Sequence, residues 1–266
     1  MIQLAHQGIQ LTKMKVLKNW KQAFWVYTFL LKVCDYYMNK MIHKKYLCLL
    51  FLISACTTAP SGKEILKKSI AFHDPNSQWN NLQQKIIIQS NFVYPDSAFY
   101  SLSIGLDNPN KRVSYTNTSL AQRVDFTDTA CKVVMGDLTC DQAGWTKNFY
   151  HFILGLPMTL QYDEEIIDES VIKTTFHNIP CHRIAVDFEQ EKWHFYFSEE
   201  DYHLVGFTFN KNFVAKAEEI LTDGLIEIDS IKLCKARSWW ITTDSLAPIY
   251  SGKDEISSSS LWVKND

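Results

Sequence analysis

From Trp79 onward the apolar residues of this chain recur at every second position, and that period constrains its fold more tightly than any other property. Leu102 and Ile104 alternate with more polar neighbours, as do Ile184, Val186 and Phe188. Trp193, Phe195 and Phe197 repeat the pattern, and Val205, Phe207 and Phe209 repeat it again. Side chains of a strand point alternately to opposite sides, so this spacing builds a sheet with one apolar face. Turn-forming clusters separate the runs: Tyr94-Pro95-Asp96-Ser97, Asp107-Asn108-Pro109-Asn110, Asn178-Ile179-Pro180 and Thr222-Asp223-Gly224. Such short connections favour antiparallel neighbours. Aromatic residues make up 14% of the chain, which suits half-buried pleated surfaces. The run 257–260, four serines, reads as a loop before a final strand or as a frayed tail.

Two helices interrupt the alternation. Ser61 followed by Glu64 is a capping box, in which each side chain bonds the other's free backbone N–H. It predicts a helix over 62–72 with Ile65, Leu66 and Ile70 on its buried side, ended where Pro75 disfavours helix at Asp74. Phe149, Phe152, Ile153 and Leu156 recur at helical spacing, with Gly155 and Pro157 as the stop. A long meander with a few helices predicts an α+β fold, a curved antiparallel sheet with helices covering its apolar face. Residues 62–266 suit one domain.

The N-terminal region carries a different message. Met41-Ile42-His43-Lys44-Lys45 is a short basic stretch, followed by an apolar run over 46–55 and then Cys56. A run of that length fits a signal-peptide core and is too short to span a bilayer. Ile53-Ser54-Ala55-Cys56 resembles the box read by lipoprotein signal peptidase, which implies a diacylglycerol on Cys56 and cleavage just before it. Residues 41–55 are therefore expected to be a signal peptide, and 56–61 a lipidated tether. Residues 1–40 fit no part of such a leader, and we expect them to be a gene-model extension ahead of the true start at Met41.

The remaining composition narrows the chemistry. A net charge of −2 gives no basis for nucleic-acid binding. Of the seven cysteines, Cys131, Cys140, Cys181 and Cys234 lie beyond Cys56. An exported protein can keep disulfides, and Cys131 with Cys140 would close a loop around Gly136-Asp137. Matching the apolar faces, with Phe197 opposite Val205, Phe195 opposite Phe207 and Ile184 opposite Phe197, aligns His182, Glu199 and His203 at one sheet edge. Two imidazoles and a carboxylate are zinc-ligand types, although strands about 4.8 Å apart would hold the rings nearly twice that distance from each other. The same register sets Asp187 opposite His194, near Ser198. No Gly-x-Ser-x-Gly accompanies them, so the expectation is a protein without enzymatic activity or cofactor.

Several elements together resemble a known family. They are Phe72-His73-Asp74-Pro75, Asn148-Phe149-Tyr150, Leu154-Gly155-Leu156-Pro157-Met158, the run from Lys192 to Phe197 and the stretch from Ile231 to Trp240. Their order resembles a family of bacterial outer-membrane or periplasmic lipoproteins classed as a domain of unknown function, and more distantly the LolA-like lipoprotein carriers. The resemblance implies a half-barrel closed by helices around an apolar cavity. On that basis Phe149, Phe152, Ile153, Trp193, Phe195, Phe197, Val205, Phe207 and Phe209 are the expected lining of a pocket for an acyl chain or other hydrophobic ligand. The expected location is the cell envelope, anchored by lipid to the outer membrane. The competing expectation is an interaction lipoprotein whose core is fully packed.

Overall fold

The computed structural model describes residues 59–93, 97–188, 191–211, 216–243 and 246–262. The expected leader, Cys56, the stretch 1–40 and the Tyr94-Pro95-Asp96 turn lie outside the described residues. Residues 59–266 form one compact unit. Helix α1 (Gly62–His73) comes first, then β1 (Gln83–Phe92), β2 (Ala98–Asp107), β3 (Arg112–Asn117), β4 (Gln122–Phe126) and β5 (Cys131–Met135). Helix α2 (Cys140–Leu154) leads to β6 (Ile172–Phe176), β7 (Ile179–Phe188), β8 (Glu191–Ser198) and β9 (Leu204–Lys211). The last strands are β10 (Lys216–Ile228), β11 (Ile231–Thr243) and β12 (Leu246–Leu261).

All of these strands join one open antiparallel sheet in the order β5-β4-β3-β2-β1-β12-β11-β10-β9-β8-β7-β6. Each neighbour is a neighbour in sequence except β1 with β12, a pairing that stitches two meanders into one surface. The expected α+β class, an antiparallel sheet with covering helices, is what the chain adopts. Two local expectations are corrected. Residues 257–260 are not a loop: they belong to β12, where Ser258, Ser259 and Ser260 pair with Ile87, Ile86 and Lys85. Thr222-Asp223-Gly224 is not a turn: it lies inside β10, with Gly224 at φ +65°. The reversal comes at Asp229-Ser230 (φ 50° and 66°), and His177-Asn178 (φ 47° and 66°) makes another. Positive φ at both central residues matches the twist of the flanking strands, and neither turn contains glycine to announce it.

The helices begin where their caps dictate. Glu64 N–H donates to Ser61 Oγ at 3.3 Å, and Ser61 N–H donates to Glu64 Oε2 at 2.8 Å. Helix α2 starts well before its apolar spacing does, because Thr139 and Gln142 form a second capping box. Apolar side chains from the inner face collect in two clusters. One joins Ile86, Ile88, Ile104 and Val124 to Ala143 and Leu154 of α2. The other joins Phe195, Phe197 and Phe207 to Ile65 and Leu66 of α1 and Ile153 of α2.

Two of the sequence elements singled out above converge on one tryptophan. Asp74 receives the N–H groups of Gln78 (2.7 Å) and Trp79 (2.8 Å), and fixes the buried Trp79 behind α1. The Trp79 ring then lies on Gly155, where an added Cβ would come within 2.4 Å of the indole and 2.5 Å of Thr159 Cγ2. His73 and Asp74 are thus joined through Trp79 to Gly155-Leu156-Pro157. Gly155→Ala overpacks that contact, and its expected cost is about 1–3 kcal/mol in urea unfolding. A loss below about 0.5 kcal/mol would show that the Trp79 ring is free to move aside.

Candidate functional site

The inner faces of β8 and β9 carry the aromatic surface on which a site is to be sought. Trp193 stacks on Phe209 with ring centroids 4.2 Å apart and on Phe207 at 5.6 Å. Phe152 of α2 meets Trp193 edge-on at 5.4 Å and Phe188 at 6.0 Å. Phe195, Phe197 and Phe207 are completely shielded from solvent, and Ile153 is buried with them. These rings therefore pack against one another and against the two helices. Two clefts lie elsewhere: one of about 740 Å3 on the far side of β1 to β5, and one of about 540 Å3 beside Trp79, Lys147, His151 and Tyr162.

Val205 departs from the expected lining. Tyr196 faces Gly206 and Phe197 faces Leu204, so Val205 is an extra residue in β9, a bulge. One inserted residue reverses the side on which the next side chain emerges. Leu204 accordingly joins the inner cluster, whereas Val205 packs with Phe176 and Cys181 on the outer face. Gly206 permits this, since a Cβ there would lie 2.4 Å from the Phe176 ring.

The bulge and the β7–β8 register also take the candidate metal ligands out of the expected row. His182 faces Phe197, not Glu199, and Ile184 faces Phe195. Glu199 and His203 lie in the β8–β9 connection, where Glu199 pairs with Lys173 at 3.6 Å and His203 Nδ1 sits 2.5 Å from Asp201. His182 is buried against the Tyr202 ring, and that burial lowers its pKa. Among the described residues no three His, Cys, Asp or Glu side chains are grouped to hold a metal ion. Asp187 faces Lys192, with 3.3 Å between the charges, while His194 faces Ala185. Ser198 is buried opposite Cys181. The expected row of Asp187 and His194 is therefore not formed.

Cys131 and Cys140 are joined by a disulfide, which ties β5 to the first residue of α2 rather than closing a hairpin. Cys181 and Cys234 are free and buried, and desolvation pushes both thiols up to about 11. At neutral pH both stay protonated and unreactive.

A feature absent from the sequence reading lies between the two apolar clusters. Tyr100, Ser90, Asp254, Arg237 and Thr222 are successive cross-strand partners from β2 through β1, β12 and β11 to β10. Arg237 and Asp254 are almost fully buried, 1% and 2% exposed, with 2.7 Å between Nη2 and Oδ1. Trp239 Nε1–H donates to Asp254 Oδ2 at 3.1 Å. From α2, Tyr150 closes over the row, and burial, followed by the nearby Asp254 charge, raises its phenol well above the ordinary value. Among the described residues Arg237 Nε has no hydrogen-bond partner. The signal was present in the sequence only as Arg237 and Asp254, each one of three charged residues in its late strand. It stayed hidden because 257–260, read as a loop, left β12 without a phase.

Helix α2 covers this interior loosely. Only Ala143, Ile153 and Leu154 of its fifteen residues are buried. An aromatic path runs beneath it from the exposed Trp145 through Phe149 (5.3 Å) to Trp239 (5.9 Å), which touches the ion pair.

No curated protein matches the chain. Similar solved structures include a LolA superfamily protein from Nitrosomonas europaea, at 8% identity and a TM-score of 0.46, covering 77% of this chain and 96% of that one. Another is a DUF1329 family protein from Desulfovibrio piger, at 7% identity and a TM-score of 0.42, covering 78% of this chain and 96% of that one. A family of unknown function, DUF6503, matches residues 40–250, and the chain belongs to that family.

Proposed function

We propose that this is a lipid-anchored protein of the cell envelope that takes an acyl chain or similar apolar molecule between its sheet and α2. The observation that carries this reading is the mismatch between cover and surface. A broad aromatic face lies under a helix whose covering rings, Phe149 and Phe152, are only partly buried. The described interior is filled by its own rings, so occupation requires α2 to lift and Phe149 and Phe152 to leave Trp239 and Trp193. The ligand lining is Phe149, Phe152, Ile153, Trp193, Phe195, Phe197, Phe207 and Phe209, without Val205. Residues 41–55 serve as the leader and Cys56 as the acylated anchor. The family match supports that start, since it begins at residue 40, beside Met41. Thr57 and Thr58 lack the aspartate that retains lipoproteins at the inner membrane, which favours the outer membrane. No catalytic step is assigned.

The packing of Phe195, Phe197 and Phe207 favours a second reading, a lipid-anchored interaction protein with a closed core. Native mass spectrometry of the protein purified without detergent separates the two. The first reading expects a non-covalent lipid mass on the folded protein, and a ligand-free species alone would leave only the second. The same sample, digested, is expected to show the acyl groups on Cys56 and no peptide from 1–40.

A further inference from the structure

On the face of β1 to β5 that turns away from the core lies the groove of about 740 Å3. Register builds its floor in rows. Lys85, Gly105, Ser114 and Asp125 are successive cross-strand partners, and Ile87, Ser103, Thr116 and Arg123 form the next row. Hydroxyls continue onto β12, where Ser260 faces Lys85 and Ser258 faces Ile87. Trp262 supplies a wall, its indole resting on Gly105, where a Cβ would fall within 2.9 Å of the ring. Glycine at that point lets the indole lie close against the strand while still lining the groove.

The polar groups of this floor are already oriented. Arg123 grips Asp125 with two hydrogen bonds, Nε to Oδ1 at 3.1 Å and Nη2 to Oδ2 at 3.0 Å. Ser114 Oγ–H donates to the same carboxylate at 2.7 Å. A planar ion pair flanked by serine and threonine offers paired donors and acceptors at fixed spacing. The indole adds an apolar surface of the size of one ring. This combination suits a ligand with hydroxyls around its edge and C–H groups on its faces. Lys85, Arg112 and Arg123 stand against the single carboxylate of Asp125 among the lining charges, so an acidic ligand is favoured over a neutral one.

We propose that this groove is a second binding site, for an acidic carbohydrate chain, with Trp262 as the stacking platform and Arg112, Lys85 and the Arg123–Asp125 pair as its polar contacts. The site is separate from the sheet–helix interior and stands whether or not an acyl chain binds there. Calorimetry of the full chain with hexagalacturonate, maltohexaose, inorganic sulfate and phosphatidylglycerol vesicles tests it. Hexagalacturonate is expected to bind at one site, at least tenfold tighter than maltohexaose and more weakly as salt rises. Trp262→Ala is expected to weaken it tenfold or more. Arg112→Gln, at a partly exposed side chain, is expected to weaken it severalfold with an unchanged melting temperature, and carries the test if the tryptophan variant folds poorly. Three results would overturn the assignment: no binding by the native protein, binding insensitive to both variants, or equal binding of sulfate or of vesicles alone.

Discussion

Asp254→Ala is expected to destabilise the protein by about 3–5 kcal/mol, among the largest effects of any single substitution, because it leaves the Arg237 guanidinium charged, buried and without its counter-ion. It also removes the acceptor of Trp239 Nε1–H. Arg237→Met is expected to cost a similar amount, by stranding the carboxylate. The double variant Arg237→Met/Asp254→Leu is expected to recover most of the loss, since two apolar residues of similar volume need no desolvation. A double-mutant cycle from urea unfolding measures the coupling. Independent costs that simply add, or a loss under about 1 kcal/mol for Asp254→Ala, would mean that water reaches the pair. The physical content is that this row sits between two apolar clusters, where an unmatched charge has nothing else to bond.

The second large effect concerns acid. His73 is fully buried, its Nδ1 lies 2.5 Å from the Lys232 carbonyl, and the Leu204 N–H donates to its Nε2 at 3.0 Å. Those partners define a neutral ring with the proton on Nδ1. A second proton on Nε2 would point at an N–H. Burial foremost lowers the His73 pKa from 6.5 to about 4. The folded state thus refuses a proton that the unfolded chain accepts between those values. Stability from this group is complete above about pH 6.5 and is lost as pH falls toward 4, by about 3 kcal/mol. His151 and His182 shift the same way through burial and add to the acid limb. Urea unfolding across pH 4–8 is expected to show that slope, and His73→Gln to be less stable at pH 7 but flatter below 6.5. An unchanged slope in the variant would assign acid sensitivity to the other histidines.

How much of this was legible in the sequence depends on range. The capping box at Ser61 and Glu64 was readable because both partners lie within one helical turn, and α1 begins where it predicts. Alternation in β7, β8 and β9 correctly marked Trp193, Phe195, Phe197, Phe207 and Phe209 as inward, since the period of two is a property of the strand itself. It failed at Val205, because a bulge is set by how Phe197 chooses between Leu204 and Val205 across the pair. The glycine-free turn at Asp229-Ser230 passed unseen for a related reason, as two adjacent strands impose positive φ on residues that do not advertise it.

The apolar period by itself therefore determined a one-faced antiparallel sheet, and local caps determined where its helices start. Register, by contrast, is a relation between strands, and only the tertiary structure decided it. It set His182 opposite Phe197 rather than Glu199, turned Val205 outward and brought β12 beside β1. That last pairing aligned Ser90, Asp254 and Arg237 inside the sheet, and Ser258 and Ser260 with the groove outside it. Residues more than a hundred positions apart carry no mark of each other in the chain, and backbone hydrogen bonding between two extended segments is what makes them neighbours.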